Sequence, residues 1–147
     1  MATDTRNDPF RGYNFSIEID GVPTGGFAEV SGLTAEVKTV DYREGTDRQS
    51  NVRKLAGPAS FGVIKLTRGY TKDDALWKWY GNILNGQPDR RNVTIVLMNE
   101  AREPQLRWHV DGALITKIEG PALKASEVGV AIESVELANE GIEFVRD

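Results

Sequence analysis

The stretch GYNFSIEID, residues 12–20, alternates without a break: Tyr13, Phe15, Ile17 and Ile19 stand against Asn14, Ser16, Glu18 and Asp20. Successive side chains of an extended chain point to opposite faces, so this spelling predicts a β-strand with one apolar and one polar side. The same period recurs downstream. Residues 61–68 set Ile64 and Leu66 against Lys65 and Thr67, residues 92–98 are rich in β-branched side chains, and residues 105–110 alternate Leu106, Trp108 and Val110 with Arg107 and His109. A strand region over 27–42 is interrupted near Ser31 and Gly32, residues 20–26 read as a turn, and Asp111-Gly112 reads as a hairpin turn into a strand over 113–119. The last strand is placed at 129–138. Residues 126–139 also fit a helical drawing, and their β-branched alternation favours the strand.

One segment switches to the helical period. In TKDDALWKWYGNILNG, residues 71–86, the apolar side chains Leu76, Trp79, Tyr80, Ile83 and Leu84 follow i, i+3, i+4, i+7 and i+8, a continuous stripe. Thr71 is placed to cap the start, Asp73 and Asp74 suit the positive end of the dipole, and Gly86 suits a left-handed close. So short a helix is marginal alone and needs a sheet to receive its stripe. The expected fold is therefore mainly β, a β-barrel or sandwich of about seven strands with one α-helix. It forms a single domain over residues 1–147, with a polar arm at 1–8 and an extended loop at 43–57.

Composition narrows the function. The chain has 147 residues, 39% hydrophobic and 27% charged, the balance of a chain that folds around one core. With no cysteine, disulfides, thiolate metal sites and a cysteine nucleophile are excluded. No apolar run approaches the roughly 18 residues of a membrane span, and residues 1–10 hold no apolar core of a secretory signal, so neither a membrane anchor nor classical export is expected. A net charge of −4 weighs against a surface built to neutralise phosphates.

Catalytic patterns are missing. His109 is the single histidine, and its strand position alternates with apolar neighbours, so a surface or hydrogen-bonded role is expected over a catalytic base. The glycines form neither a dinucleotide fingerprint nor a P-loop. Asp73 and Asp74 are explained by the helix end, and Glu133, Glu136, Glu140 and Glu143 by solvated positions of a strand and its exit. No metal, cofactor or enzymatic activity is expected. Trp77 lies off the helix stripe and is a candidate contact residue.

The segment YREGTDRQSNVRKLAG, residues 42–57, stands apart. Arg43, Arg48, Arg53 and Lys54 invite a phosphate-binding reading, but Asp41, Glu44 and Asp47 cancel most of that charge. Interleaved signs suit a complementary protein surface better than a polyanion. From Arg43 to Lys54 only Val52 is strongly apolar, so the segment cannot bury itself. Ordering about a dozen residues costs on the order of 12–24 kcal/mol of backbone entropy, and contacts from another chain are the natural offset. Strand edges raise the same need, which a ring of subunits meets by pairing or covering them.

Four stretches now carry a resemblance: NDPFRGYNFSIEIDG, YREG followed by VRKLAG, RGYTKDDALWKWY, and AIESVELANEGIEF, together spanning about residues 7–145. The chain resembles the tail tube proteins of contractile phages and of phage-tail-like contractile injection systems, a family similar in fold to the haemolysin-coregulated tube protein of type VI secretion. One departure is Ala56, where the family form has proline. The resemblance implies a β-barrel subunit forming hexameric rings. These stack into a rigid tube inside a sheath, with baseplate or spike and terminator proteins at the ends and cargo protein or DNA in the bore. It implies assembly in the bacterial cytoplasm as part of a phage tail or a released particle. The long loop becomes an inter-subunit contact through Tyr42, Arg43, Glu44, Arg48, Arg53, Lys54 and Leu55. Asn14, Ser16, Glu18 and Asp20 either line the bore or face outward. The rival readings are a small carbohydrate- or peptide-binding β domain using the aromatics, and a hydrolase with a carboxylate pair.

Overall fold

The computed structural model describes residues 12, 14–20, 22–24, 26–43, 45, 52–69, 73–126, 129 and 131–146. The arm expected at 1–8 and the cap expected at Thr71 lie outside them. Among the described residues ten strands and one helix follow in order: β1 (Phe15–Ile19), β2 (Val22–Thr24), β3 (Phe27–Ser31), β4 (Ala35–Tyr42), β5 (Arg53–Phe61), β6 (Ile64–Gly69), α1 (Ala75–Leu84), β7 (Arg91–Met98), β8 (Pro104–Glu119), β9 (Ile132–Ala138) and β10 (Gly141–Arg146).

Seven strands run in the order β2-β1-β7-β8-β9-β6-β3, with β10 added beside β8, and β4 with β5 form a separate two-stranded sheet. The mainly β expectation holds, and the choice between barrel and sandwich falls against the barrel. Among the described residues no ladder joins β2 to β3, so the sheet curls over its core without closing.

The curl is made by β8. Its first half pairs with β7 on one side and β10 on the other, and its second half, from Leu114, pairs with β9. At the change stands Gly112, at φ +59°, where a Cβ would come within 2.8 Å of the Glu140 side chain. The hairpin expected at Asp111-Gly112 does not form. The left-handed glycine bends the strand, and the chain running back as β9 and β10 lies alongside both halves, tied to the bend by the Glu140 N–H donating to the Asp111 carbonyl at 2.8 Å. The expected turn over 20–26 likewise contains a short strand, since β2 pairs with β1 through Ile19 and Val22.

The inward side chains come from the alternation read in the sequence. Ile17 and Ile19 of β1, Val93 and Ile95 of β7, Val110 and Ile115 of β8, Ile64 and Leu66 of β6, and Val135 and Leu137 of β9 are all buried. Helix α1 adds Leu76 and Trp79 to this core, with Tyr80 and Ile83 packed at its margin. Leu84 departs from the expected stripe: it is 70% exposed, at the last helical residue. The helix also starts later than expected. The Ala75 N–H donates to Asp73 Oδ1 at 3.0 Å, which serves the first turn in place of a side-chain cap from Asp74. At the other end Gly86, at φ +85°, donates to the Ile83 carbonyl and Gln87 to the Asn82 carbonyl, the paired closure that glycine is expected to supply there. No described helix is long and apolar enough to cross a membrane.

Candidate functional site

The two-stranded sheet is where the expected contact residues gather. β4 and β5 pair antiparallel, with Val40 opposite Leu55, Asp41 opposite Lys54 and Tyr42 opposite Arg53. The loop expected at 43–57 is thus shorter than its sequence suggests, because residues 53–57 are already the returning strand. That strand escaped the pattern because its apolar residues are few and Gly57-Pro58 interrupts it. The irregularity in register falls there, between Val37 and Thr39, and a Cβ at Gly57 would lie 2.6 Å from the Lys38 carbonyl. Glycine is what lets the two backbones approach so closely.

Tyr42, Arg53, Lys54 and Leu55 are brought together at the far end of this hairpin, with Arg43 directly after Tyr42. Glu44 and Arg48 lie outside the described residues. Lys54 Nζ pairs with Asp41 Oδ1 at 2.5 Å, both side chains more than half exposed. Every residue of β4 is exposed, and the exposed set includes Val37, Val40, Tyr42, Val52 and Leu55. An isolated two-stranded hairpin is marginally stable in water, and exposed aliphatic side chains clustered on one mark an interaction surface.

The four residues read as one polar face are not equivalent. Asn14 is buried, and its amide donates to the Asn99 carbonyl. Asp20 sits in the β1–β2 turn at φ +52°, where its Oδ1 accepts the Asn92 N–H at 3.0 Å. Only Ser16 and Glu18 occupy the strand face, and register extends that face across the sheet. Glu18 lies opposite Thr94, Thr94 opposite His109, and His109 opposite Glu143. Thr94 Oγ1 and His109 Nδ1 are 3.1 Å apart, and Arg107 reaches Glu18 at 4.0 Å. This polar row is invisible until strand order is known, because its members come from four separate stretches of chain.

A second cluster corrects the sequence reading. Glu133, expected at a solvated position, is buried with Arg68, and the two are direct cross-strand partners. Arg68 Nε donates to Glu133 Oε1 at 2.5 Å, and Trp77 Nε1 donates to Glu133 Oε2 at 3.2 Å. The Arg68 guanidinium also donates to Asp73 Oδ2 at 3.2 Å and to the Asp73 carbonyl at 3.0 Å, and lies 5.7 Å from the centre of the Phe27 ring. Arg68 continues the inward series Ile64 and Leu66, and Glu133 the series Leu137 and Val135, so both charges end up under the start of α1. Trp77, read as a contact residue, is here a helix-to-sheet tie. Asp73 is held below the usual carboxylate range first by the Ala75 N–H and then by Arg68, against the opposing effect of burial. A buried pair so connected anchors the helix, since removing one partner strands the other.

Chemistry of other kinds finds no support among the described residues, where no three His, Asp or Glu side chains are grouped to hold a metal ion. A family model described as T4-like virus tail tube protein gp19 matches residues 11–143. Among solved structures, the tube-containing "PVC sheath-tube complex in extended state" of an extracellular contractile injection system holds a chain 25% identical, covering 99% of this chain and 100% of that one, with TM-score 0.87. The anti-feeding prophage cap, described as a tube terminating cap, shares the fold at 24% identity, covering 99% and 97%, with TM-score 0.88. Hcp1 from Flavobacterium johnsoniae shares it at 11% identity, covering 92% and 97%, with TM-score 0.56. Among curated proteins none matches the chain.

Proposed function

Because the chain belongs to the tail tube protein family of T4-like viruses, a structural component of the tube, we propose that six copies form a ring. Rings stack into the rigid inner tube of a contractile tail or injection particle. The β4–β5 hairpin is the observation that carries this reading: a ladder standing apart from the core sheet, with its aliphatic side chains in solvent, is completed by a neighbouring subunit. Tyr42, Arg43, Arg53, Lys54 and Leu55, with Glu44 and Arg48 of the same segment, make that contact.

In this reading the tube is driven through a target envelope as one body when the sheath contracts. The sheath-tube setting of the injection-system neighbour supports a sheath partner outside, and the cap neighbour supports a terminator at one end. A baseplate or spike stands at the other end, and cargo protein or DNA passes through the bore. Ser16 and Glu18, with the row through Thr94 and His109, line that bore. The subunit performs no catalysis of its own and assembles in the bacterial cytoplasm before the particle is released.

The test is charge reversal at Arg53→Glu with Lys54→Glu. Tube elongation, followed by pelleting and negative-stain imaging, falls sharply while the circular dichroism spectrum stays unchanged. Normal elongation by the double variant refutes the contact.

A further inference from the structure

Between the two wings of the curled sheet lies an apolar groove of about 220 Å³ lined by Phe15 of β1, Val30 of β3, Leu33, Ile95 and Leu97 of β7 and Trp108 of β8, with Glu29 at its rim. We propose that this groove is the seat for the β4–β5 hairpin of a second copy, with Val40 and Leu55 entering it and Lys38 meeting Glu29. The inference rests on the hairpin being an inter-subunit contact and adds where it lands.

Three observations fit this occupant. Val40 and Leu55 are direct cross-strand partners, 52% and 47% exposed, so they form one apolar knob. An apolar cavity of about 150 Å³ accepts a benzene-sized group, so the groove has room for two aliphatic side chains. Along β4, Lys38 shares the face of Val40, which brings a cation beside the knob to match the carboxylate beside the groove.

The hairpin does not fill the groove of its own chain: Val40 and Leu55 are about half exposed and neither lines it. β4 begins at Ala35, two residues after the groove residue Leu33. At about 3.3 Å per residue Val40 lies about 17 Å along the strand from Ala35. Knob and socket on different parts of one chain make a heterologous contact, in which each copy gives one hairpin and receives one. Such a contact repeats along an assembly without a second kind of subunit.

The chain has no cysteine, so disulfide trapping is clean. The variant Val40→Cys with Leu33→Cys, assembled reduced and then oxidised, gives a ladder of covalent oligomers on a denaturing gel. The two positions of one chain are too far apart to bridge. Val40→Cys with Leu84→Cys, which pairs the knob with an exposed helix position, gives no ladder. Independently, Lys38→Glu lowers the pelleted fraction several-fold, and adding Glu29→Lys restores it. Tubes that form without a ladder, a ladder equally strong in the Leu84 control, or a charge reversal that the second change does not rescue overturns the groove as the seat. Loss of the ladder only when residues 1–11 are present would identify those residues as the occupant and also overturns it. Replacing residues 40–55 by a two-residue turn removes the knob and the charged end together. Tubes still built by that chain refute the hairpin contact itself, a different result from tubes without a ladder.

Discussion

Replacing Val40 and Leu55 together by serine separates assembly from folding. Both side chains are about half exposed, so in the isolated subunit roughly half of their apolar surface is still available to a partner. Full burial of a valine or leucine from water is worth about 1.5–3 kcal/mol, so covering the remaining halves contributes about 1.5–3 kcal/mol for the pair at each contact. At about 1.4 kcal/mol per tenfold, the contact constant falls roughly ten- to a hundred-fold. The assay is the critical concentration for pelletable tubes, read beside thermal unfolding of the unassembled subunit. The expected result is a rise of at least tenfold in critical concentration with an unfolding midpoint within a few degrees of the parent. Tubes at the parental concentration rule out Val40 and Leu55 as contact residues, and so does a large fall in the midpoint, which would make these residues part of the fold.

The remaining predictions concern the subunit alone. Glu133→Ala leaves the Arg68 guanidinium buried beside apolar strands and is expected to lower stability by about 3–5 kcal/mol in denaturant titration. Replacing both partners, Arg68→Met with Glu133→Leu, recovers most of that loss. Trp79→Ala empties a fully buried site and leaves the Asp89 carbonyl without its indole donor at 2.7 Å, so a loss of about 3–5 kcal/mol is expected by the same titration. Asp89 is held below its usual 3.8 first by its hydrogen bonds from Arg91 and then by the Asn82 amide. A carboxylate depressed on folding contributes stability that is present above its unfolded value and drains away as pH falls through the folded one. The unfolding midpoint therefore declines below about pH 4 in the parent and declines less steeply in Asp89→Asn.

The parts of the fold that announce themselves in sequence are those whose signals are local. The alternation through Phe15, Ile17 and Ile19 placed β1 on the core, and the spacing of Leu76, Trp79 and Ile83 placed α1 against the sheet. Gly86 closes the helix for the backbone reason that its position suggests. What escaped depends on partners distant in the chain. Asp111-Gly112 has the composition of a hairpin, and only the return of β9 and β10 alongside turns it into a bend. β10 was missed, since Gly141, Glu140 and Glu143 mask its strand character. Glu133 looks solvated by type, and nothing nearby in sequence shows that Arg68 stands opposite. For the candidate site, the charged character of residues 42–57 was visible, but the knob of Val40 and Leu55 appears only with the register of β4 on β5.

The most direct test of a tube-forming subunit is negative-stain imaging of the purified chain at rising concentration, paired with mass measurement. A tube-forming subunit gives rings with a central hole that stack into tubes, with a mass of six subunits for the smallest closed species. A chain that stays monomeric at every concentration contradicts it.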